Sequence, residues 1–437
     1  MKQELLNEIV SEIEAEFKQL INYLFEMEEP PTLEEIEVSF RQSMHRLGGK
    51  FIECYVKSRN FGYMGRRTAC SCGAMAESVG YRSKQIQTII GQAKIERAYY
   101  YCKECGRGFA PIDEELMLTR RSFSRVVERA VCRLAVVESF ECSVDDLYDV
   151  GGISISAKEA QILSESVGSE LARTQADEVR EVFESEKELK AEESAGILLI
   201  EMDGKIVPTH DGGRELKVGA ISELVLGENP DESKIGKTTY VGNFETAEEF
   251  GRYVWIEAAR RGVEDAEKVI GLGDGAPWIW NRMCEHFPDA IQILDFYHVS
   301  EHMWGLGNAL YGEGTSKTKR FVEHKLSQIW SGKVDKTIKA LMKLKFTDSD
   351  KSEKLRVEIG YLQYNRSRMD YPNYKARGYH VGSGVVESAC KQFGARLDQA
   401  GMRWKEIGEG AIAALRALKL SGRWDDYWKP ARPPLYA

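Results

Sequence analysis

Apolar positions in the first 60 residues recur at helical spacing. Residues 3–28 carry apolar side chains three and four positions apart, and Glu29-Pro30-Pro31 ends the pattern. A second helix is predicted over about 33–57. The first helix is amphipathic, so we expect it to pack against another element or to self-associate.

Helical spacing returns over residues 114–170. Within this region, Ser143–Val150, Gly151-Gly152 and Ser156–Leu171 predict a helix, a tight turn and a second helix, the arrangement of a helix-turn-helix. A long acidic helix over about 170–193 is predicted to come next as a spacer. A glycine-containing helix hairpin is also common in ordinary packing, so this pattern alone does not establish DNA binding.

Between these helical regions the pattern changes to alternation. Gln85–Ile90, a turn at Gly91 and Ile95–Tyr101 predict a β-hairpin. A Cys-x-Cys pair precedes the hairpin and a Cys-x2-Cys pair follows it. Two cysteine knuckles joined by a hairpin predict a zinc ribbon, in which one Zn²⁺ is bound by Cys70, Cys72, Cys102 and Cys105. Because Cys-x-Cys is tighter than the usual spacing, redox-active or unliganded thiols are the alternative.

From Gly196 onward, apolar strands alternate with helices. The segment GILLIEMDGKIV predicts a strand with Asp203 at its end, and Glu215–Leu226 and Thr238–Phe244 predict two more. A helix over Thr246–Arg261, a short buried strand (AEKVIGLGDG), a helix (APWIWNRMCEHF) and a strand (IQILDFYHV) come next. Helices are predicted from about 300 to 372, and a final helix from near Ser383. The order βββαβαβ predicts an α/β sheet.

Acidic residues follow three of these strands. Asp203 ends the first strand, Asp274 follows the fourth and Asp295 ends the fifth, while Glu387 opens the final helix after a glycine-rich turn. Because ligands bind at the carboxyl ends of parallel strands, we expect these carboxylates to converge. Crowded carboxylates repel one another, and their hard oxygens favour Mg²⁺ or Mn²⁺ as a neutralising partner. Taken singly, an Asp-Gly pair is usually a turn, and Glu387 could simply stabilise a helix dipole.

Although the net charge of the chain is −9, two of its segments are basic. Residues 82–133 carry 11 basic and 6 acidic side chains, and residues 315–378 carry 16 and 7, which gives +5 and +9. Because phosphate binding depends on local potential, both segments can bind nucleic acid, although solvated surface helices have the same composition. No apolar stretch approaches the ~18–20 residues that cross a bilayer. We expect a soluble, cytoplasmic, nucleoid-associated protein with no membrane partner.

With these residues in view, the chain resembles the Kra-type insertion-sequence transposases, a family of the DDE (ribonuclease-H-like) superfamily. The likeness covers nearly the whole chain, and it rests on the order and spacing of several motifs. The matching stretches are Met-Asp203-Gly with Val207-Pro208, Arg214–Gly219, Thr239–Gly242, Gly-Asp274-Gly-Ala-Pro-Trp-Ile-Trp280, Ile-Leu-Asp295-Phe-Tyr-His298 with Glu301-His302, Gly382-Ser-Gly-Val-Val-Glu387, Leu420–Trp428 and the cysteine cluster. One departure is Lys205, where the family often has Thr or Ser.

The resemblance implies a ribonuclease-H-like core that cleaves and joins DNA. Asp203, Asp274 and Glu387 would be the catalytic triad and bind two Mg²⁺ (or Mn²⁺) ions roughly 3.5–4 Å apart. Asp295 and His298 match an Asp-x-x-His element, in which His298 either orients the scissile phosphate or only bonds to Asp295. The implied partners are double-stranded DNA (transposon inverted repeats and target) and further copies of the chain in a synaptic dimer or larger oligomer.

Basic side chains near the cysteines point to recognition of the transposon ends. We expect Arg82, Lys84, Lys94, Arg97 and the arginines over 120–133 to contribute, together with the helix-turn-helix. Trp278, Trp280 and Trp304 could stack on bases, but core packing is the more ordinary role of tryptophan.

Two other functions fit parts of the sequence. His298-Val-Ser-Glu301-His302 matches the H-x-x-E-H motif of inverzincin zinc peptidases, although we place the motif at a strand end rather than inside a helix. A domesticated, catalytically idle DNA-binding regulator is the second. The predicted organisation is an N-terminal helical region (1–60), zinc ribbon (61–113), helix-turn-helix region (114–170), helical linker (171–193), first part of the core (194–311), basic helical insertion (312–380) and C-terminal part of the core (381–437).

Overall fold

The computed structural model describes residues 2–26, 29–118, 121–185, 187–192 and 196–429. The chain divides into two compact units, Met1–Ser164 and Glu165–Ala437. Each unit contains one β-sheet, and the mixed α/β class predicted from the sequence is confirmed. Within the described ranges, no helix is long and apolar enough to cross a membrane.

The first unit packs two long helices and a four-stranded antiparallel sheet. A capping box begins the second helix, because Thr32 and Glu35 each accept the other's backbone N–H. The hairpin predicted between the cysteine pairs is present and is longer than expected. The elements are helices α1 (Lys2–Phe25), α2 (Leu33–Ser58), α3 (Pro111–Glu115), α4 (Arg125–Ala135) and α5 (Phe140–Gly151), and strands β1 (Arg67–Ala69), β2 (Met75–Thr88), β3 (Gly91–Tyr101) and β4 (Gly108–Phe109). The next helix, α6 (Ala157–Ser185), begins in the first unit and continues into the second.

The tight turn predicted at Gly151-Gly152 is present, but the helix after it is longer than predicted. Gly152 has the left-handed conformation that ends α5. Helix α6 then runs for 29 residues without interruption, so the expected second helix of the helix-turn-helix and the expected spacer are one element. The sequence over Ala157–Ser185 contains no proline, and its only glycine, Gly168, is helical. The predicted boundary at 170 therefore lies inside a helix; residues 186 and 193 of the predicted linker lie outside the described residues.

The second unit is built on a five-stranded sheet in the order β7-β6-β5-β8-β9. Strands β5, β6 and β7 are antiparallel, and β8 and β9 extend the sheet in parallel to β5. The predicted order βββαβαβ is present. The elements are strands β5 (Ile197–Thr209), β6 (Gly212–Val225), β7 (Lys234–Asn243), β8 (Lys268–Gly273) and β9 (Ile291–Leu294), and helices α7 (Ala247–Arg260), α8 (Pro277–His286), α9 (Phe296–Tyr311), α10 (Ser316–Trp330), α11 (Val334–Met342), α12 (Ser349–Tyr364), α13 (Tyr371–Ala376), α14 (Gly384–Leu397), α15 (Glu406–Leu420) and α16 (Trp424–Tyr427).

Two predicted strand ends were wrong. Strand β5 continues through Asp203 to Thr209, because its backbone stays paired with β6 up to the turn at His210-Asp211. The last strand stops at Leu294, and Asp295 begins α9, so His298 lies in the first turn of a helix rather than at a strand end. The helix that begins near Ser383 is also not the final one, since α15 and α16 come after it.

The helices between β9 and α14 share their hydrophobic core with the sheet. Leu306, Val322 and Leu362 belong to the same buried cluster as Leu199 of β5 and Ile270 of β8. The predicted insertion over 312–380 is therefore packed as part of the unit that contains the sheet, and this packing fixes the loops at the carboxyl ends of β8 and β9.

Candidate metal centres

The register of the sheet brings Asp203 and Asp274 to the same level. Residues of β5 pair with residues of β8 that are 71 positions later, from Ile197 with Lys268 to Glu201 with Leu272. Asp203 and Asp274 are separated by the same interval, and Asp274 is the first residue after β8. The turn at Asp274 is held by its own carboxylate, which accepts the Ala276 amide at 2.8 Å.

The carboxylate of Asp203 is partly shielded from solvent and faces a second carboxylate. Burial raises the pKa of Asp203, and Asp274 raises it further, whereas the Gly204 amide, the Cys390 thiol and His298 oppose the shift. The Gly204 amide donates at 2.7 Å and the Cys390 thiol at 3.4 Å. An additional cation would relieve the repulsion between the two aspartates.

Helix α14 places Glu387 beside this pair. Cys390 reaches Asp203, and Glu387 lies three residues earlier on the same helix face. The Glu387 side chain is 37% exposed; its oxygens lie 3.5 Å from Ser383 Oγ and 3.9 Å from Lys391 Nζ. Glu387 therefore lies on the face of α14 that contacts Asp203, and its carboxylate stays accessible.

Asp295 and His298 form a group of potential metal ligands with Glu387, and among the described residues no such group includes Asp203 or Asp274. The ligand atoms of Asp295, His298 and Glu387 all lie within 4.8 Å of one another. Asp295 is fully buried, and its two oxygens accept from the Tyr297 amide at 2.6 Å, the Ser383 amide at 2.8 Å and the Ser383 hydroxyl. These bonds make Asp295 a buried anchor that joins α9 to α14. Because Oδ1 accepts only one hydrogen bond and keeps a second lone pair, Asp295 is also a potential metal ligand beside His298 and Glu387.

Glu201 is a buried carboxyl group that the sequence analysis missed. It lies two residues before Asp203 on β5, so both side chains project from the same face of the sheet. Glu201 is fully buried, and neither oxygen has a hydrogen-bond partner among the described residues. Burial raises its pKa to about 8, and Asp295 and Glu387 add to the shift. The Val386 amide lies near enough to oppose the shift, although it forms no hydrogen bond of normal geometry with either oxygen. The sequence did contain a signal for Glu201: it is an acidic residue inside an apolar strand, two positions from Asp203.

The second histidine of the H-x-x-E-H motif has a separate set of partners. His302 Nδ1 lies 2.6 Å from Glu358 Oε2, and its ring stacks on Tyr361 at 3.8 Å between centroids. Burial opposes ionisation of Glu358, but hydrogen bonds from His302 and Lys354 outweigh it and lower the pKa. Within the described chain, no cluster of potential metal ligands contains both His298 and His302.

The three tryptophans considered for base stacking differ in exposure. Trp280 is 1% exposed, and Arg368 covers its ring at 4.4 Å. Trp278 is partly buried against the core of the second unit, and Trp304 is 38% exposed. For Trp280 and Trp278 the surroundings are those of core residues.

A four-cysteine cluster forms in the first unit. The sulfur atoms of Cys70, Cys72, Cys102 and Cys105 lie within 4.8 Å of one another; the pairs Cys70–Cys105 and Cys72–Cys102 are each separated by 3.6 Å. All four are free thiols. The Cys72 backbone amide lowers the pKa of Cys70 to about 7. The two turns that carry the cysteines thus present four sulfur atoms to one point.

These features define an α/β protein with a carboxylate cluster at the sheet and a four-cysteine cluster in a separate unit. Residues 79–427 match the family described as "Uncharacterised protein family (UPF0236)", and the chain belongs to that family. A UPF0236 protein of Caldanaerobacter subterraneus subsp. tengcongensis is 25% identical over 356 residues, covering 78% of this chain and 68% of that protein. Two other UPF0236 proteins of the same strain are each 26% identical over 356 residues, covering 78% of this chain and 68% and 64% of their own lengths.

Proposed function

We propose that this protein is a DNA transposase that cleaves and joins DNA strands by a DDE mechanism. The observation that supports the proposal is that acids distant in the chain come together at one end of the sheet. Asp203 and Asp274 lie at matching positions of neighbouring strands, and His298, whose charge acts on Asp203, has Glu387 within 4.8 Å. Separations of 71 and 113 residues along the chain give no local reason for three acids to share one site. Such convergence is what metal-dependent phosphoryl transfer requires.

The strand order supports a ribonuclease-H-like core. Three antiparallel strands, β5 to β7, are extended by parallel β8 and β9 in the order β7-β6-β5-β8-β9. The acids stand where β5 and β8 run side by side, which is the sheet edge where ligands of α/β proteins bind. Both the strand order and the matching positions of Asp203 and Asp274 support this part of the proposal.

The residues present fit Mg²⁺ or Mn²⁺. The donor set consists of carboxylate oxygens, and Asp274 raises the pKa of Asp203 through a repulsion that a bound cation would relieve. Asp203, Asp274 and Glu387 would hold the ions. When bound, the ions lower the pKa of the attacking water and stabilise the leaving 3′ oxygen.

The remaining side chains near the acids position the catalytic residues and orient the substrate. His298 lies within reach of Glu387 and in the field of Asp203, where its imidazole can contact the scissile phosphate. Asp295, through Ser383, fixes α14 and with it Glu387. Tyr361 donates to the Asp274 carbonyl at 2.8 Å and holds the turn after β8. The freed 3′-OH is then the nucleophile on target DNA.

We propose that the four-cysteine cluster holds one structural Zn²⁺ in a zinc ribbon. A tetrahedral site with Zn–S bonds of about 2.3 Å has sulfur–sulfur edges of about 3.75 Å. The two closest sulfur pairs, at 3.6 Å, are near this value and far beyond a disulfide bond. The thiol geometry therefore favours metal over the redox alternative.

One relative's name adds independent support. It joins eleven numbered labels of a single strain. A protein present in many copies in one strain is expected of a mobile element, whose product acts on duplex ends and on target DNA. A synaptic dimer or larger oligomer would bring two such ends together.

A cleavage assay tests the proposal. The purified chain should nick supercoiled plasmid, and should cut labelled duplexes taken from the flanks of its own gene, in Mg²⁺ or Mn²⁺ but not in EDTA. Asp203→Asn, Asp274→Asn and Glu387→Gln should each abolish cutting, whereas Asp289→Asn, which changes an exposed aspartate of the same unit, should not. Binding without cutting by the unaltered chain would favour the regulator instead.

A further inference from the structure

A broad groove of about 1170 Å³ lies wholly within the first unit. It is lined by one face of the β2–β3 hairpin, the loops after the cysteine pairs, helix α3 and the start of α4. The basic residues that line it are Arg82, Lys84, Arg97, Arg107 and Arg125. Two acids, Asp113 and Glu114, are also present, so the lining keeps a net positive charge of three.

Strand pairing explains why these cations share one surface. Arg82 pairs with Arg97, and Lys84 pairs with Ile95, so these side chains project from the same face of the hairpin. Further along that face, Ile95 and Ile86 are buried in the core under α2. The groove begins where this apolar packing stops. Lys94, in contrast, pairs with Gln85 and projects from the opposite face.

The cations of the groove lie close together and outnumber the acids that line it. Arg97 forms an ion pair with Asp113. Burial lowers the pKa of Lys84, and the neighbouring Arg97 lowers it further against Asp113 and Glu128. Arg107 and Arg125 are exposed at the rim. A polyanion in the groove would relieve this repulsion.

We propose that this groove binds the phosphate backbone of duplex DNA. The choice of DNA as the ligand rests on the proposed function, whereas the inference that the ligand has an anionic backbone rests on the charge of the groove alone. Proteins that bind single strands stack bases on free aromatic faces. Two aromatic residues line the groove, and both rings already have a partner. The Arg82 guanidinium lies over the Tyr99 ring at 3.7 Å, and the Phe109 ring stacks on Tyr100 with centroids 6.0 Å apart. A lining with four guanidinium groups and engaged aromatic rings fits contact with the phosphate backbone.

If DNA binds in this groove, the residues expected to contact DNA differ from those predicted from the sequence. Lys94 is outside the groove, and Arg120 lies outside the described residues. Helices α5 and α6, which were expected to act as a helix-turn-helix, contribute no lining residue to this groove. Residues 158–193 carry 5 basic and 11 acidic side chains, so their charge opposes an approach to phosphate.

The test is the salt dependence of binding by the full chain. Fluorescence anisotropy with a labelled 30-base-pair duplex in EDTA measures affinity at several KCl concentrations. The triple variant Arg82→Ala/Arg107→Ala/Arg125→Ala should lower the salt slope by about 3 and the affinity roughly 100-fold at 0.15 M KCl, because each phosphate contact contributes a slope of about 0.9. The equivalent triple lysine variant keeps the charge and should retain most of the slope.

A matched control removes three exposed cations elsewhere in the unit. Arg67→Ala/Lys94→Ala/Lys103→Ala should change the slope by less than one. An alanine groove variant that keeps the unaltered slope and affinity would overturn the proposal, as would tighter binding of duplex RNA or single-stranded DNA than of duplex DNA. Because binding is measured without metal, failure here is distinct from failure of the cleavage assay, which tests the carboxylates.

Discussion

Replacing Glu201 with glutamine is expected to stabilise the metal-free protein at neutral and alkaline pH. Glu201 is fully buried on β5, its oxygens have no hydrogen-bond partner among the described residues, and Asp295 and Glu387 lie near it. Folding therefore favours the protonated carboxyl group, which glutamine imitates in shape and neutrality.

The size of the effect can be worked out from the pKa. Burial raises the pKa of Glu201 from 4.5 to about 8 in the folded state. Below pH ~4.5 the group is protonated whether or not the chain is folded, and it imposes no penalty. As pH rises towards about 8, the unfolded chain loses its proton first, and folding is penalised by about 1.4 kcal/mol per pH unit. Between pH 5 and pH 8 the advantage of Glu201→Gln should grow by on the order of 3 kcal/mol.

Tryptophan fluorescence during urea unfolding measures the stability gained by Glu201→Gln in the structural unit that contains this residue. All eight tryptophans lie within Glu165–Ala437, so their emission reports unfolding of the unit that contains Glu201. Unfolding free energies of both proteins are compared at pH 5, 6, 7 and 8 in EDTA. Glu228→Gln, which alters an exposed carboxylate after β6, is the control and should show no trend with pH.

The pH trend is informative whatever the absolute stability of the variant. Glutamine must also bury an amide, which adds a penalty that is independent of pH. Parallel stability profiles of the two proteins from pH 5 to 8 would show that Glu201 is not a buried, strained acid.

Three further outcomes are expected. Cys102→Ser should reduce bound zinc from one ion per chain to none by elemental analysis and should lower the melting temperature; unchanged zinc would refute the cluster. Gly242→Ala should destabilise the second unit by about 1–3 kcal/mol and reduce DNA cleavage, because the new Cβ would lie 2.6 Å from the Phe393 ring of α14, and a fully active variant would contradict this. His302→Ala should leave the metal content unchanged, since the ring contacts Glu358 and Tyr361, whereas loss of a second zinc would favour the peptidase.

The sequence predicted the elements well where hydrophobic period and turn residues agree. The strands β5 and β8 and the hairpin of β2 and β3 come from apolar or alternating runs, and each overlaps its predicted range, although the hairpin strands are longer than predicted. The class of the fold was predicted from their order. Strand ends were less predictable, because β5 continues past Asp203 only through pairing with β6, which no local pattern encodes.

Side-chain partners were the part that composition and spacing could not supply. Asp295 was expected beside His298, but its engagement by Ser383, 88 residues later, depends on how α14 docks. Glu201 was passed over as one polar residue in an apolar strand, and only its complete burial reveals it. The division of basic residues between the two faces of the hairpin likewise required the register that separates Arg82 from Lys94.

Diffraction from crystals soaked in Mn²⁺ tests the proposed carboxylate site most directly. We expect anomalous density within coordination distance of Asp203, Asp274 and Glu387, and loss of that density in Asp203→Asn crystals. Ordered carboxylates with no manganese between them at millimolar Mn²⁺, or manganese bound only elsewhere on the chain, would contradict the proposed metal site.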